Sequence, residues 1–351
     1  MKKALAFLMV VAIICTLFVG CGKTEAPAAD SNAPAAATSD LKAACILGVG
    51  GLGDQGYNDL IYAGMKRAEE ELGIAFDYAE PKQVSDFENI MRDMSNSGEY
   101  CVIVCVGFDQ MDALMAVSPD VPDQNYAFID GVIAADNIVS YSCREQEGSF
   151  LVGAMAALMK QDAATYNLND SNRIGFIGAM ENDTILRFAA GYDAGAKYVA
   201  PDITVDIKYI GGDNPFGDTT TCKEIALSQN NNGSDIIYQA AGGSGLGLFT
   251  AAAEADFLAI GCNSNQNPID PDHIVASMLK RVDTAAFEIV KASSEGTLKL
   301  GEEVVLGLAQ GGIGYTLENS NIKVADEIVN KLTELEQKII SGEIEVPANF
   351  N

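Results

Sequence analysis

The chain has 351 residues and a formal net charge of −27, with 22 Lys and Arg against 49 Asp and Glu. A hydrophobic content of 48% and a charged content of 20% fit a globular chain long enough for two domains. So acidic a chain disfavours nucleic acid as a partner, and a single histidine disfavours zinc and Ser-His-Asp catalysis.

The chain begins with the pattern of an export signal. Lys2 and Lys3 precede an uncharged apolar run of 17 residues that ends at Gly20, which is short for a membrane span and typical of a signal peptide. The next residue, Cys21, is the predicted site of lipidation, although a lipobox normally has Leu where Phe18 stands. A plain signal peptide or an N-terminal membrane anchor is the alternative.

The segment after this cysteine predicts a tether. Residues 22–40 are rich in Ala, Pro and small polar residues and show no hydrophobic periodicity. We therefore expect a signal peptide over residues 1–20 and a lipidated, flexible linker over 21–42, which would hold the rest of the chain at the outer face of the cell membrane.

Strand and helix patterns alternate from residue 43 onward. The predicted strands of the first half are 43–47, 74–78, 100–106 and 125–129, and apolar stripes predict helices over 61–72 and 87–98. The pattern is interrupted near residues 140–147 and then begins again. A parallel α/β architecture with two similar lobes follows from this repetition.

The second half repeats the alternation. Its predicted helices are 148–160, 184–199, 218–230, 246–255 and 280–294, and its predicted strands are 173–178, 203–210, 235–238 and 257–261. An amphipathic segment over 322–341 is expected to pack on one lobe. Ligands of parallel sheets bind beyond the carboxyl ends of the strands, so the polar and glycine residues there are the candidate site.

Two glycine runs follow predicted strands. Gly48–Gly53 matches GxGxxG, with Asp77 or Glu80 near the position of a ribose-binding acid, which leaves open a dinucleotide-dependent oxidoreductase. Asp54 opposes this reading, because a carboxylate at a helix start repels a pyrophosphate. The run that begins at Gly242 lacks the nucleophile-elbow and Walker patterns. It predicts either open backbone N–H groups for a ligand or a turn required for packing.

Several motifs together carry a family resemblance. They include GVGGLGDQGYND (48–59), VGFDQ (106–110), YAFIDG (126–131), REQEGSFLVGAMAAL (144–158), AIGCNSNQ (259–266) and ASMLK (276–280). The chain resembles the basic membrane protein family of lipoproteins, which are substrate-binding components of ABC importers typified by purine nucleoside receptors. The resemblance implies a type I periplasmic-binding-protein fold: two Rossmann-like lobes with parallel sheets, joined by three crossovers that act as a hinge.

The resemblance also implies a binding site between the lobes. Tyr57 is expected to stack on a base, beside Asp54 and Asn58 at the edge of the first lobe. Asp130 is expected to bind the base, and Lys280 to lie near the sugar. Asp54 has an alternative role as the acid at a helix start.

Four further residues complete the candidate ligand site. Phe108 and Tyr238 flank predicted strand ends and offer aromatic faces, with core packing as the alternative for both. Gly242 offers backbone N–H groups. Asn263 stands where the family has a sugar-binding Asp, and an acid that the family carries before its glycine run is also absent. A purine nucleoside is the expected ligand, and these two departures leave open a modified nucleoside, a free base or another ligand of the same size class.

These patterns predict a binding protein that forms and breaks no bond. We expect lobe 1 over 43–143 plus 264–298 and lobe 2 over 144–263 plus 299–351. The expected partners are a nucleoside-like ligand, the permease subunits of an ABC importer and the membrane through the lipid anchor, with no cofactor or metal and a monomeric state. The alternatives are an NAD(P)-dependent oxidoreductase and a sensory lipoprotein without a transport role.

Overall fold

The computed structural model of the chain describes residues 40–350. The predicted signal peptide, the lipidation site at Cys21 and almost all of the predicted tether lie outside the described residues. The strands are β1 (Lys42–Ile46), β2 (Ala75–Ala79), β3 (Tyr100–Val106), β4 (Tyr126–Ile129), β5 (Ile138–Cys143), β6 (Arg173–Gly178), β7 (Thr204–Tyr209), β8 (Ile236–Ala240), β9 (Leu258–Asn263), β10 (Ile274–Lys280), β11 (Glu303–Leu306) and β12 (Ile313–Thr316).

The α-helices cover both faces of two sheets. They are α1 (Tyr57–Leu72), α2 (Phe87–Ser97), α3 (Met111–Val117), α4 (Glu145–Gln161), α5 (Asp183–Val199), α6 (Thr219–Asn231), α7 (Leu246–Ala255), α8 (Val282–Ser294) and α9 (Asp326–Ile340). Over residues 40–350, no helix has the length and apolar character needed to cross a membrane.

The strands form two sheets of six. The first sheet has the order β11-β5-β4-β3-β1-β2 and the second the order β12-β10-β9-β8-β6-β7. All neighbouring strands are parallel except β10 and β12, which pair antiparallel. The predicted α/β class is therefore confirmed. We call each sheet with its covering helices a lobe.

Helix α1 shows how the apolar stripes become core. Its buried side chains include Ile61, Met65 and Ala68, which recur at helical spacing and pack against the first sheet. Gly73 ends the helix at φ 69°, and its N–H donates to the carbonyl of Glu69. The left-handed backbone conformation at this position favours glycine, because a Cβ atom is sterically disfavoured in it.

Helices α4 and α5 of the second lobe cross at very close range. A Cβ atom at Gly195 would lie 1.9 Å from the carbonyl oxygen of Phe150, and one at Gly153 would lie 2.1 Å from that of Tyr192. Gly191 makes a similar approach to the start of α4. This crossing holds together the two helices that bring charged and aromatic side chains toward the other lobe.

The chain passes between the two sheets three times, as the family resemblance implies. The crossings follow Cys143, Lys280 and Leu306, the last residues of β5, β10 and β11. Two of the crossing segments touch, because Arg144 N–H donates to the carbonyl of Leu306 at 2.8 Å. The connections between the lobes therefore lie side by side.

Two segments lie in a different lobe from the one expected. Ile274–Lys280, assigned to lobe 1 within residues 264–298, pairs with β9 and β12 of the second sheet. Glu303–Leu306, assigned to lobe 2 within 299–351, pairs with β5 of the first sheet. The chain crosses over after β10, so that α8 packs on α1 of the first lobe. Neither segment was predicted as a strand, so the sequence offered no indication of which sheet it would join.

Candidate functional site

A cavity of about 740 Å³, part of it open to solvent, lies between the carboxyl ends of the strands of the two lobes. We call it the interlobe cavity. The predicted residues Asp54, Tyr57, Asn58, Phe108 and Asp130 line it from the first lobe, and Gly242, Asn263 and Lys280 line it from the second. The strand-end rule thus brought together residues up to 226 positions apart in the sequence.

Tyr238 does not line the interlobe cavity. Its side chain has no solvent exposure and lies in the core of the second lobe. Its ring packs 5.2 Å from the ring of Tyr192 and 5.5 Å from that of Phe176, and its hydroxyl forms a hydrogen bond with Ser149. The residue lies in the middle of β8 and faces α4 and α5, while Ala240 at the strand end reaches the cavity.

A buried ion-pair network crosses between the lobes. The Nζ atom of Lys280 lies 2.5 Å from a carboxylate oxygen of Asp130 and 2.9 Å from one of Glu145. The second oxygen of Glu145 accepts a hydrogen bond from Arg187 Nε at 2.6 Å. Asp130 directly follows β4 of the first lobe, whereas Lys280 ends β10 of the second. The ion pair between them therefore joins the two walls of the cavity.

The pKa shifts of Lys280 and Glu145 keep both of these groups charged. Burial lowers the pKa of Lys280, but Asp130 and Glu145 outweigh it and hold that pKa above its ordinary range. Burial likewise raises the pKa of Glu145, but Lys280 and Arg187 hold it below the ordinary value. The network thus keeps a cation at the cavity wall at neutral pH.

Lys280 lies at the end of a strand and not at the start of a helix, as the sequence pattern had suggested. It is the last residue of β10 and pairs with Ile313 of β12, while α8 begins at Val282. A lysine at a helix start would be disfavoured by the helix dipole, but Lys280 is not in that position. Its role depends instead on the carboxylates that surround it.

Asp54 occupies the start of α1 and organises the preceding loop. Its carboxylate accepts hydrogen bonds from the N–H groups of Gly56 at 2.8 Å and Asn58 at 2.9 Å. The side chain of Asn58 in turn accepts one from Gly48 N–H at 2.9 Å. Burial raises the pKa of Asp54. The structure thus shows the helix-start role that the sequence left open, at a residue that also lines the cavity.

Two strand ends at the cavity adopt the left-handed backbone conformation. Asp130 has φ 85° and Asn263 has φ 69°. Asp and Asn tolerate this conformation better than other residues with a side chain. Strained backbone of this kind clusters at binding sites.

Aromatic rings form much of the apolar wall. The rings of Tyr57 and Phe188 lie 5.2 and 5.8 Å from Lys280 Nζ, and the rings of Phe108 and Phe216 lie 6.2 Å apart. Neither Phe188 nor Phe216 was selected from the sequence. Phe188 stood within a predicted helix, where an aromatic residue is usually core, and Phe216 lies in a loop without a motif.

Asp109 is another cavity residue that the sequence analysis did not select. It follows Phe108 on a single turn before α3 and lines the cavity. Burial raises its pKa to about 6, and the nearby charge of Asp130 acts in the same direction. Its place in the VGFDQ motif was the available signal.

The network also contains a group of potential metal ligands. In the described part of the chain, oxygen or sulfur atoms of Asp130, Cys143 and Glu145 lie within 4.8 Å of one another. The ammonium group of Lys280 already contacts both carboxylates. Burial also keeps the pKa of the Cys143 thiol well above its ordinary value. Asp130 and Glu145 are thus both paired with Lys280, and Cys143 carries a neutral thiol at neutral pH.

Two further hydrogen bonds join the lobes, between the residue Gln55 and the segment that follows β9. Ser264 Oγ donates to the carbonyl oxygen of Gln55 at 2.6 Å, and Gln266 Nε2 donates to the same oxygen at 3.1 Å. Gln55 has φ 49° and precedes α1, whereas Ser264 and Gln266 follow β9. We call this contact the Gln55 latch.

The fold is that of a two-lobed protein with a cavity between its lobes, as in solute-binding proteins. The chain belongs to the Bmp family, because the family model "ABC transporter substrate-binding protein PnrA-like" matches residues 42–350. It is therefore an ABC transporter substrate-binding protein. The family resemblance read from the motifs is confirmed.

Individual relatives agree with this assignment. The chain is 30% identical to the "ABC transporter nucleoside-binding protein BmpA" of Lactococcus lactis subsp. cremoris, with 99% of each chain covered. It is 33% identical to an uncharacterized lipoprotein of Pyrococcus abyssi, over 78% of this chain and 69% of that protein. A solved solute-binding protein of an ABC transporter system from Aeropyrum pernix K1 is 31% identical, with a TM-score of 0.79 over 88% of this chain and 94% of that one. The predicted periplasmic-binding-protein fold is thus confirmed.

Proposed function

We propose that this protein captures a purine nucleoside in the interlobe cavity and delivers it to the permease of an ABC importer. The observation that carries the proposal is the pairing of flat aromatic rings with a charged network in one cavity. Rings of Tyr57, Phe108 and Phe216 offer faces for a base, and Lys280 with Asp130 offers hydrogen bonds for polar groups. The nucleoside-binding relative from Lactococcus lactis supports this ligand class.

The energetics are compatible with useful affinity. Stacking of a base on an aromatic ring contributes about 1–3 kcal/mol. Two such contacts with a few hydrogen bonds reach the roughly −8 kcal/mol of a micromolar site. Because the cavity has walls from both lobes, a ligand that touches both favours their closure.

The test is calorimetric titration of the purified chain with purine nucleosides, pyrimidine nucleosides, free bases and ribose. We expect micromolar or tighter binding of at least one purine nucleoside. Tyr57→Ala and Asp130→Asn should each weaken it at least tenfold. Tyr198→Ala and Asp136→Asn, which alter exposed residues outside the cavity, are the matched controls. Absence of binding to every nucleoside would reject the proposal.

We further propose that Cys21 carries the lipid anchor and that the chain lies at the outer face of the cell membrane. The lipobox-like sequence and the lipoprotein relative from Pyrococcus abyssi support this. Two acyl chains would hold the protein stably. Cys21→Ser should move it from the membrane fraction to the soluble fraction, and an unchanged distribution would contradict the anchor.

A dinucleotide-dependent oxidoreductase receives little support from the geometry. Phosphate binding at a helix start uses free backbone N–H groups. At α1 the N–H groups of Gly56 and Asn58 already donate to Asp54. NADH fluorescence that rises on mixing with micromolar affinity would favour the enzyme.

A measurement of nucleoside uptake distinguishes a transport role from a sensory one. Deletion of the gene should reduce uptake if the protein has a transport role.

A further inference from the structure

The three carboxylates of the interlobe cavity differ in their partners. Asp54 accepts backbone N–H groups of α1, and Asp130 pairs with Lys280. Asp109 has no cation beside it, and among residues 40–350 no other side chain forms a hydrogen bond with it; its partner is its own backbone N–H. Of the three carboxylates, Asp109 therefore has the most oxygen lone pairs available to a ligand.

The surroundings of Asp109 raise the pKa of its carboxyl group. Burial and the negative charge of Asp130 act together on its carboxyl group, and its pKa is about 6. The other ionisable group that faces it is the Tyr57 hydroxyl, whose pKa is also raised by burial and by both carboxylates. The cation of the cavity, Lys280, is already shared by Asp130 and Glu145.

Asp109 also lies in a suitable place to read a base. It directly follows Phe108 on the turn Phe108–Gln110, so an aromatic face and a carboxyl group reach the cavity from adjacent positions. An ionised carboxylate only accepts hydrogen bonds, whereas a protonated one donates one and accepts another. The two forms therefore prefer different base edges.

We propose that the protonation state of Asp109 selects which purine nucleoside the interlobe cavity prefers. The ionised form accepts from the adjacent N–H groups of guanine, and the protonated form pairs with the donor and acceptor of the Watson–Crick edge of adenine. The inference rests on the proposed nucleoside-binding function. It adds a specificity-determining residue and a dependence on pH.

The test measures the affinities of guanosine and adenosine by calorimetry between pH 5.0 and 7.5. Guanosine binding should strengthen with rising pH, because more Asp109 is ionised, while adenosine binding weakens. The ratio of the two affinities should change at least tenfold over this range. In Asp109→Asn, whose amide both donates and accepts at every pH, the ratio should stay constant.

Two further variants sharpen the result. Asp112→Asn removes an exposed carboxylate one turn away on α3 and should behave as the wild type. Asp109→Glu keeps a titrating group and should retain the pH dependence if Asp109→Asn does not fold. A constant ratio in the wild type, or a pH-dependent ratio in Asp109→Asn, overturns the inference and leaves nucleoside binding intact. If neither nucleoside binds at any pH, the proposed function fails as well.

Discussion

At the scale of single residues, Lys280 is the most constrained charge in the interlobe cavity. Its side chain is 1% exposed and lies between Asp130 and Glu145. Removal of one member of a buried ion pair leaves its partner charged without compensation, which costs about 3–5 kcal/mol. We expect Lys280→Met to lower the free energy of unfolding by this amount in urea denaturation.

The control for this variant separates charge from packing. Lys280→Met combined with Asp130→Asn should be more stable than Lys280→Met alone, because no unpaired carboxylate remains at position 130. Lys291→Met, at a partly exposed site on α8, should change stability little. A single variant as stable as the wild type would show that the pair contributes nothing.

Asn263 carries the second residue-scale prediction. It lines the cavity with a left-handed backbone that Asp also tolerates. A hydrogen bond from a hydroxyl to a charged group contributes about 1.5–3 kcal/mol, compared with about 0.5–1.5 kcal/mol for a neutral one. If Asn263 faces the sugar, Asn263→Asp should tighten nucleoside binding about tenfold in calorimetry. Unchanged affinity would place it away from the sugar.

Many of the residues that line the cavity could be predicted from the sequence, because the carboxyl ends of parallel strands lie at the same edge of a sheet. Asp130 and Asn263 were found this way. Tyr238 was not separated from them, since the sequence does not show whether a residue near a strand end faces the cavity or the core. Phe188 was passed over because an aromatic residue in a helix is usually part of the core, and Asp109 because only its place in the VGFDQ motif marked it.

At the scale of elements, the α4–α5 crossing positions the charged network. Glu145 begins α4 and Arg187 lies on α5. We expect Gly195→Ala to lower the free energy of unfolding by about 1–3 kcal/mol or more, because its Cβ would meet the backbone of Phe150. Urea denaturation measures this change.

The matched control is Gly314→Ala on β12. A Cβ atom there meets no heavy atom within 4 Å, so we expect little change in stability. Equal stability losses for the two alanine variants would mean that the close helix crossing is not the cause. Gly195→Ala should also weaken ligand binding, because it displaces the ion-pair network at the cavity. Gly314→Ala should leave ligand binding unchanged.

The elements that sequence periodicity predicted are those with strong apolar patterns. Helix α7 coincides with its predicted range of 246–255, and β6 with 173–178. The missed strands are β5 and β10, of six and seven residues, which length does not explain, and β11 and β12, of four residues each. Such short strands depend on their neighbours in the sheet more than on their own residues, so the local sequence shows them weakly.

At the scale of the whole molecule, the Gln55 latch joins the lobes without any ligand atom. Ser264→Ala removes the shorter of its two hydrogen bonds, a neutral bond worth about 0.5–1.5 kcal/mol. We expect nucleoside affinity to fall about two- to tenfold, because less of the protein is closed. Calorimetry measures the affinity, and small-angle X-ray scattering should show a larger radius of gyration.

The control for the latch is Ser294→Ala. Ser294 Oγ also donates to a backbone carbonyl, that of Lys291, but within one helix. This variant should retain both the affinity and the radius of gyration of the wild type. Unchanged values in Ser264→Ala would mean that the latch has no influence on closure.

The three crossings between the sheets have a consequence for synthesis of the chain. A nascent polypeptide released after residue 272 would lack β10, which lies between β9 and β12, and β11, which borders β5. Neither sheet would be complete, and each would present unpaired strand edges prone to aggregation. Neither lobe is therefore encoded by one continuous segment, and both sheets become complete only after residues 274–316 have been translated.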